Sequence, residues 1–192
     1  MNRRLIPLIL LAGWAASPAA WAQGVGRQQL TGYRTFPASQ ALSAAGLSAP
    51  ETLDLSFSLP LRHPDEIEPL LERLYDPADP LYRHFLTMAQ FTGRFGPSPA
   101  DYQSVVAFAQ AHHLELTGTY PNRLLVDARG SLADVEAAFH VKLLRFRRPD
   151  GSLFHAPDRQ PSVDLDTPLG YVGGLENFQL AHPAGLRHLR PA

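Results

Sequence analysis

Between Thr52 and Pro60 the chain alternates: Leu53, Leu55, Phe57 and Leu59 are apolar, and Asp54, Ser56 and Ser58 between them are polar. A two-residue period of this kind predicts a strand with one face buried. From about Asp65 the period changes, because Ile67, Leu70, Leu71 and Leu74 recur at helical spacing. Pro69 breaks that pattern unless it lies in the first turn, where backbone N–H groups have no intrahelical partner; Asp65 as the cap would put it there. The run Asp76-Pro77-Ala78-Asp79-Pro80 ends this helix. Thr87 to Gln90 has capping-box form and predicts a short helical turn through Phe91. Ser98-Pro99-Ala100-Asp101 is a fuller start signal, with Ser as cap, Pro at the first helical position and an acid in the first turn. The helix it opens carries Tyr102, Val105, Val106 and Ala109 on one stripe and runs to about His112.

Leu114, Leu116, Gly118 and Tyr120 alternate with Glu115, Thr117 and Thr119, and after Pro121-Asn122 the run from Arg123 to Ala128 reads as a second strand. The short polar link implies an antiparallel hairpin. Ser131 and Asp134 cap a third helix bearing Leu132, Val135, Ala138 and Phe139. A fourth strand is expected from Val141 to Arg148, closed by the turn Pro149-Asp150-Gly151 before Ser152 to His155. The order is strand, helix, helix, strand, strand, helix, strand. It predicts an α+β fold: a ferredoxin-like split βαβ sandwich, with helices on one face of an antiparallel sheet and an extra helix in the first crossover.

Helices cover one face of such a sheet, and the alternation assigns Asp54, Ser56, Ser58, Glu115, Thr117 and Thr119 to the other. An antiparallel sheet can simply turn this face to water. Short polar side chains also let another protein's helices approach closely while hydrogen bonds form, so the face is a candidate binding plane.

Several runs recur in an order and spacing that is informative together. They are Asp79 to Thr87 with Phe91, Arg94 to Asp101, the Gly-Thr-Tyr-Pro-Asn segment at 118–122, Gly130-Ser131 leading into Val135 to Phe139, and the closing Gly173 to Phe178. This pattern, from about Leu53 to Phe178, resembles the activation prodomain of the sedolisin, or kumamolisin-like, serine-carboxyl peptidases. The resemblance implies a domain at 51–178 whose open face docks on a cognate peptidase, blocks it until processing and assists its folding. It implies too that the tail at 179–192, beginning Gln179, Leu180, Ala181, His182 and Pro183, passes through the substrate cleft. The expected partner is a sedolisin-type peptidase domain, in trans or formerly in cis. The chain is then a free-standing inhibitor or the remnant of a truncated or split precursor, and a monomer when free. The competing reading is an exported ferredoxin-like binding or structural module with no protease partner.

The N-terminus adds a destination. Arg3 and Arg4, the apolar stretch from Leu5 to Trp14, and the small-x-small site Ala20-Trp21-Ala22 predict a signal peptide over 1–22, cleaved after Ala22. Export would leave the protein secreted or periplasmic. The apolar run is too short to span a bilayer, so no membrane association is expected after cleavage. Residues 23–50, rich in Ala, Ser and Gly without a sustained period, read as a loosely ordered arm. With 15 basic against 18 acidic residues left, residues 23–192 carry a net charge of −3, which offers no footprint for nucleic acid. The absence of cysteine excludes disulfides and thiolate chemistry.

Catalytic machinery is not expected. Glu72 and Asp76 stand at i, i+4 and resemble the family's carboxylate pair, but no Ser-Gly-Thr-Ser or Gly-x-Ser-x-Gly motif supplies a nucleophile beside them. His112 and His113 are adjacent and point to different helix faces, so no metal or other cofactor site is expected. The family's calcium site belongs to its peptidase domain. Lys142, Arg145, Arg147 and Arg148 read as charge protecting an edge strand.

Overall fold

The computed structural model describes residues 27–42 and 52–178. The signal segment with its Ala22 junction and the tail from Gln179 to Ala192 lie outside the described residues. In chain order the elements are β1 (Arg27–Gln29), β2 (Thr52–Ser58), α1 (Ile67–Tyr75), α2 (Met88–Phe95), α3 (Pro99–Ala111), β3 (Glu115–Thr119) and β4 (Leu125–Ser131). They continue with α4 (Leu132–Phe139), β5 (Leu143–Arg147), β6 (Leu153–Pro157), β7 (Ser162–Asp164) and β8 (Tyr171–Gly173).

The alternation at the start of the domain becomes the centre of a four-stranded antiparallel sheet of order β3-β4-β2-β8. On one face Leu55, Phe57, Val126 and Ala128 meet Val105, Phe108 and Ala109 of α3 and Val135, Ala138 and Phe139 of α4. The Phe57 ring lies 5.9 Å from that of Phe139 and 6.3 Å from that of Phe108. Full burial of such side chains contributes about 1.5–3 kcal/mol each. This is a mixed α+β sandwich, compatible with the split βαβ arrangement.

The fourth strand is not the expected one. Residues 141–148 do not join the sheet; Tyr171–Gly173 takes the edge beside β2, and β5 pairs with β6 in a separate hairpin. Packing explains the difference. Leu143 turns into the main core, whereas Leu144 and Phe146 need a second apolar layer, which Phe154, Ala156, Phe36 and Phe178 supply. The basic cluster disperses accordingly: Lys142 pairs with Glu136 at 2.5 Å, Arg147 donates to Gly151 O, and Arg148 turns toward Phe178.

Local signals held with small shifts. Asp65 does not cap α1; it lies inside a 3₁₀ turn, Pro64–Glu66, and the helix starts from Glu66 with Pro69 at its third position, where the missing N–H costs nothing. Thr87 and Gln90 form the reciprocal capping box, and α2 continues past Phe91 to Phe95 because Arg62 and Arg123 donate to the carbonyls of Thr92, Gly93, Gly96 and Pro97 at its end. Ser98 and Asp101 form a second box on α3. The Asp79 run is a turn: Asp79 accepts from Leu81 N at 2.7 Å and from Arg73 Nε at 2.9 Å, and the Arg73 guanidinium holds its carboxyl below the ordinary range.

Part of the segment expected to be a loose arm is structural. Its apolar residues are spaced three apart, and each finds its own socket: Leu30 and Tyr33 are buried in the core, and Phe36 packs in the aromatic cluster beneath the hairpin. Tyr33 stacks on Tyr171 at 4.8 Å while its hydroxyl donates to Val172 O at 2.7 Å and accepts from Val172 N at 2.8 Å. One side chain thereby satisfies both groups that the edge strand β8 would leave unpaired. Burial pushes the Tyr33 hydroxyl well above the usual phenol range. Tyr33→Phe keeps the ring but strands both backbone groups, and should cost about 1–3 kcal/mol in urea unfolding while accelerating hydrogen exchange at Val172.

Candidate functional site

The sheet face away from α3 and α4 is organised in three rows that cross the strands. At one end Tyr171, Ser58 and Leu125 pair across β8, β2 and β4; in the middle come Gly173, Ser56, Asp127 and Gly118; at the other end Asp54, Arg129 and Glu115. The face therefore grades from apolar to small to charged. Arg129 Nε lies 2.7 Å from Asp54 Oδ1, an exposed pair that adds little stability but fixes the charged end.

A bulge at Thr117 shapes the middle row. Leu116 pairs with Ala128 but Gly118 pairs with Asp127, so one residue is extra and the pattern reverses beyond it. Thr117 stays on the open face, lining a shallow depression with Asp54, Ser56, Asp127, Gly173 and Gly174. Thr119 instead pairs with the core residue Val126 and leaves the open row, a correction to the expected register. Tyr120 takes its place, donating from its hydroxyl to Asp127 Oδ2 at 2.5 Å, while Ser56 Oγ donates to Asp127 Oδ1 at 2.6 Å. That bond to a carboxylate raises the Tyr120 pKa. A Cβ on Gly118 would come within 3.0 Å of the Asp127 carboxylate and 3.1 Å of the Tyr120 hydroxyl, so glycine keeps this cluster flat.

Of the six residues assigned to this face from sequence, Asp54, Ser56, Ser58, Glu115 and Thr117 are brought together by the pairing. Leu125, Asp127, Arg129, Tyr120 and Tyr171 were missed. The first three alternate with Val126, Ala128 and Gly130, a pattern that could have assigned β4 its faces. Leu125, Tyr171 and Tyr120 remain exposed at 38–40%.

The face presents hydrogen-bonding groups, with the Ser56 and Tyr120 hydroxyls both bound to the Asp127 carboxylate. Asp76, half of the sequence's carboxylate pair, accepts from Ala78 N at 2.9 Å and shapes the turn after α1. Among the described residues no group of three or more His, Asp or Glu side chains converges as a metal site requires. Among them, too, no helix is long and apolar enough to cross a membrane.

The family described as "Pro-kumamolisin, activation domain" matches residues 39–178, which include all three rows. The chain belongs to this activation-domain family. Curated relatives agree. The chain is 33% identical over 184 residues to Sedolisin of Pseudomonas sp. (strain 101), an alignment covering 93% of this chain and 31% of that protein. It is 32% identical over 148 residues to Xanthomonalisin of Xanthomonas sp. (strain T-22), covering 76% of this chain and 18% of the relative. With Kumamolisin of Bacillus sp. (strain MN-32) the identity is 27% over 164 residues, covering 85% and 30%. The chain thus spans a third or less of the length of these relatives.

Proposed function

We propose that this activation domain is a non-catalytic module that binds a sedolisin-type serine-carboxyl endopeptidase through the open sheet face, inhibits it and assists its folding. The observation that carries the reading is the face itself, in a chain of this family: a floor of Gly173, Ser56 and Gly118 between an apolar end and a charged end. Small residues allow a partner's helices to approach, Tyr171 and Leu125 offer apolar area at one end, and the Asp54–Arg129–Glu115 row fixes orientation at the other. Residues 179–183 enter the partner's cleft. Residues 1–22 direct export, with cleavage after Ala22, so that the two proteins meet outside the cytoplasm.

The test is titration of the purified chain into an acid-active sedolisin-type peptidase at mildly acidic pH, following residual activity. Saturable inhibition at stoichiometric ratios is expected. A chain that is folded by circular dichroism and leaves the peptidase fully active would return the fold to the reading of a module without a protease partner.

A further inference from the structure

The β5–β6 hairpin stands outside the sheet, and what it holds is the end of the domain. Asn177 attaches to its free edge like a one-residue strand, donating from N to His155 O at 3.2 Å and accepting from His155 N on Oδ1 at 2.7 Å. Phe178 then closes an aromatic box, 5.0 Å from Phe154 and 5.3 Å from Phe36. Arg34 lies over the Phe178 ring at 5.0 Å.

Arg148 ties these parts together. Its Nη1 donates to Leu153 O at 2.9 Å and Ser152 Oγ at 3.1 Å; its Nη2 donates to Asn177 O and, at 3.1 Å, to Phe178 O. The guanidinium also covers the Phe154 ring at 5.1 Å. Its planar fork serves four acceptors from two chain segments at once, one more than the three N–H donors of a lysine. Two distant segments of the chain, at 34–36 and 148–154, thus converge on Phe178, the last residue before the tail. Nothing in the sheet requires this: β8 ends at Gly173, and Leu175 already seals the core.

We infer that Arg148, with Arg34, Phe36 and Phe154, is a positioning clamp that fixes Phe178 and so sets the point and direction from which residues 179–192 are delivered to the bound peptidase. The inference rests on the proposed inhibitory reading and deepens it. A tail that starts from a fixed point beside a docked partner binds as an intramolecular ligand, whereas a released Asn177–Phe178 must be ordered again on binding.

The experiment is a cycle of four full-length chains assayed against the peptidase: the parent, Arg148→Ala, a tail variant Leu180→Gly/Pro183→Gly, and their combination. Arg148→Ala should weaken inhibition about tenfold with the natural tail and less than about twofold with the altered one. Equal weakening in both backgrounds would mean that Arg148 serves only the fold, and no weakening in either would overturn the clamp. Arg148→Lys, which keeps the charge and most of the stem, guards against misfolding of the alanine variant and should behave as Arg148→Ala does. Because the chain has no cysteine, Gln179→Cys accepts a single spin label. Its motion should be restricted in the parent and fast in Arg148→Ala. If the parent fails to inhibit, the functional reading falls, and the label alone decides the clamp: equal motion in the two proteins rejects it.

Discussion

Gly174→Ala should lower the stability of this domain by about 3 kcal/mol or more, a large share of the 5–15 kcal/mol typical of a folded domain. Two physical effects add. The residue has φ +97°, where a side chain crowds its own backbone, and a Cβ built there would lie 2.1 Å from Asp54 O and 3.1 Å from Leu55 Cδ2. The nearer atom is backbone of the central strand, so relief requires β2 or β8 to move. The turn matters beyond the sheet, because the Gly174 carbonyl accepts from His155 Nε2 at 3.0 Å and links the sheet to the hairpin. Gly32 is the internal control: φ is +93°, yet nothing lies within 4 Å of its Cβ position. Gly32→Ala should therefore cost about 1 kcal/mol, the backbone term alone. Urea unfolding with an unchanged slope reads both values. Equal losses for the two variants would show that the close approach at Asp54 is easily relieved.

The contrast between these glycines bears on what could be read from the chain. Elements whose signals are local were legible: the alternation of Leu53, Leu55 and Phe57, the capping boxes at Thr87 and Ser98, and the hairpin around Pro121-Asn122 all appear where the pattern puts them. Sheet membership was not legible, because it depends on contacts between distant segments. Tyr171–Gly173 is too short to show a period, and it holds the edge through Gly174 and the Tyr33 hydroxyl, 139 residues away in sequence from Val172. Residues 143–147 do form a strand, but Leu144 and Phe146 follow the aromatic residues Phe36, Phe154 and Phe178 rather than β2. The open face was legible up to Thr117. An isolated glycine inside a strand pattern is a bulge signal, and Gly118 is that glycine; reading it so would have moved Thr119 off the face and Tyr120 onto it.

Ser56→Arg should weaken inhibition of the peptidase at least about a hundredfold while leaving the domain folded, which makes it the most direct test of the face. Ser56 stands at the centre of the middle row, paired with Asp127 on one side and Gly173 on the other. Losing its 2.6 Å bond to Asp127 costs about 1 kcal/mol, and the new guanidinium can pair with the same carboxylate. Gly173 leaves room, since a Cβ there would meet nothing nearer than Ser56 Cβ at 3.7 Å, so the long side chain rises over the sheet without touching the core. Bulk above a floor of small residues then holds off any helix that packs on it. Gln103→Arg adds the same charge on the exposed side of α3, on the far side of the sheet, and should inhibit as the parent does. Full inhibition by Ser56→Arg would place the docking surface elsewhere, while equal losses for the two arginines would assign the effect to charge rather than to shape.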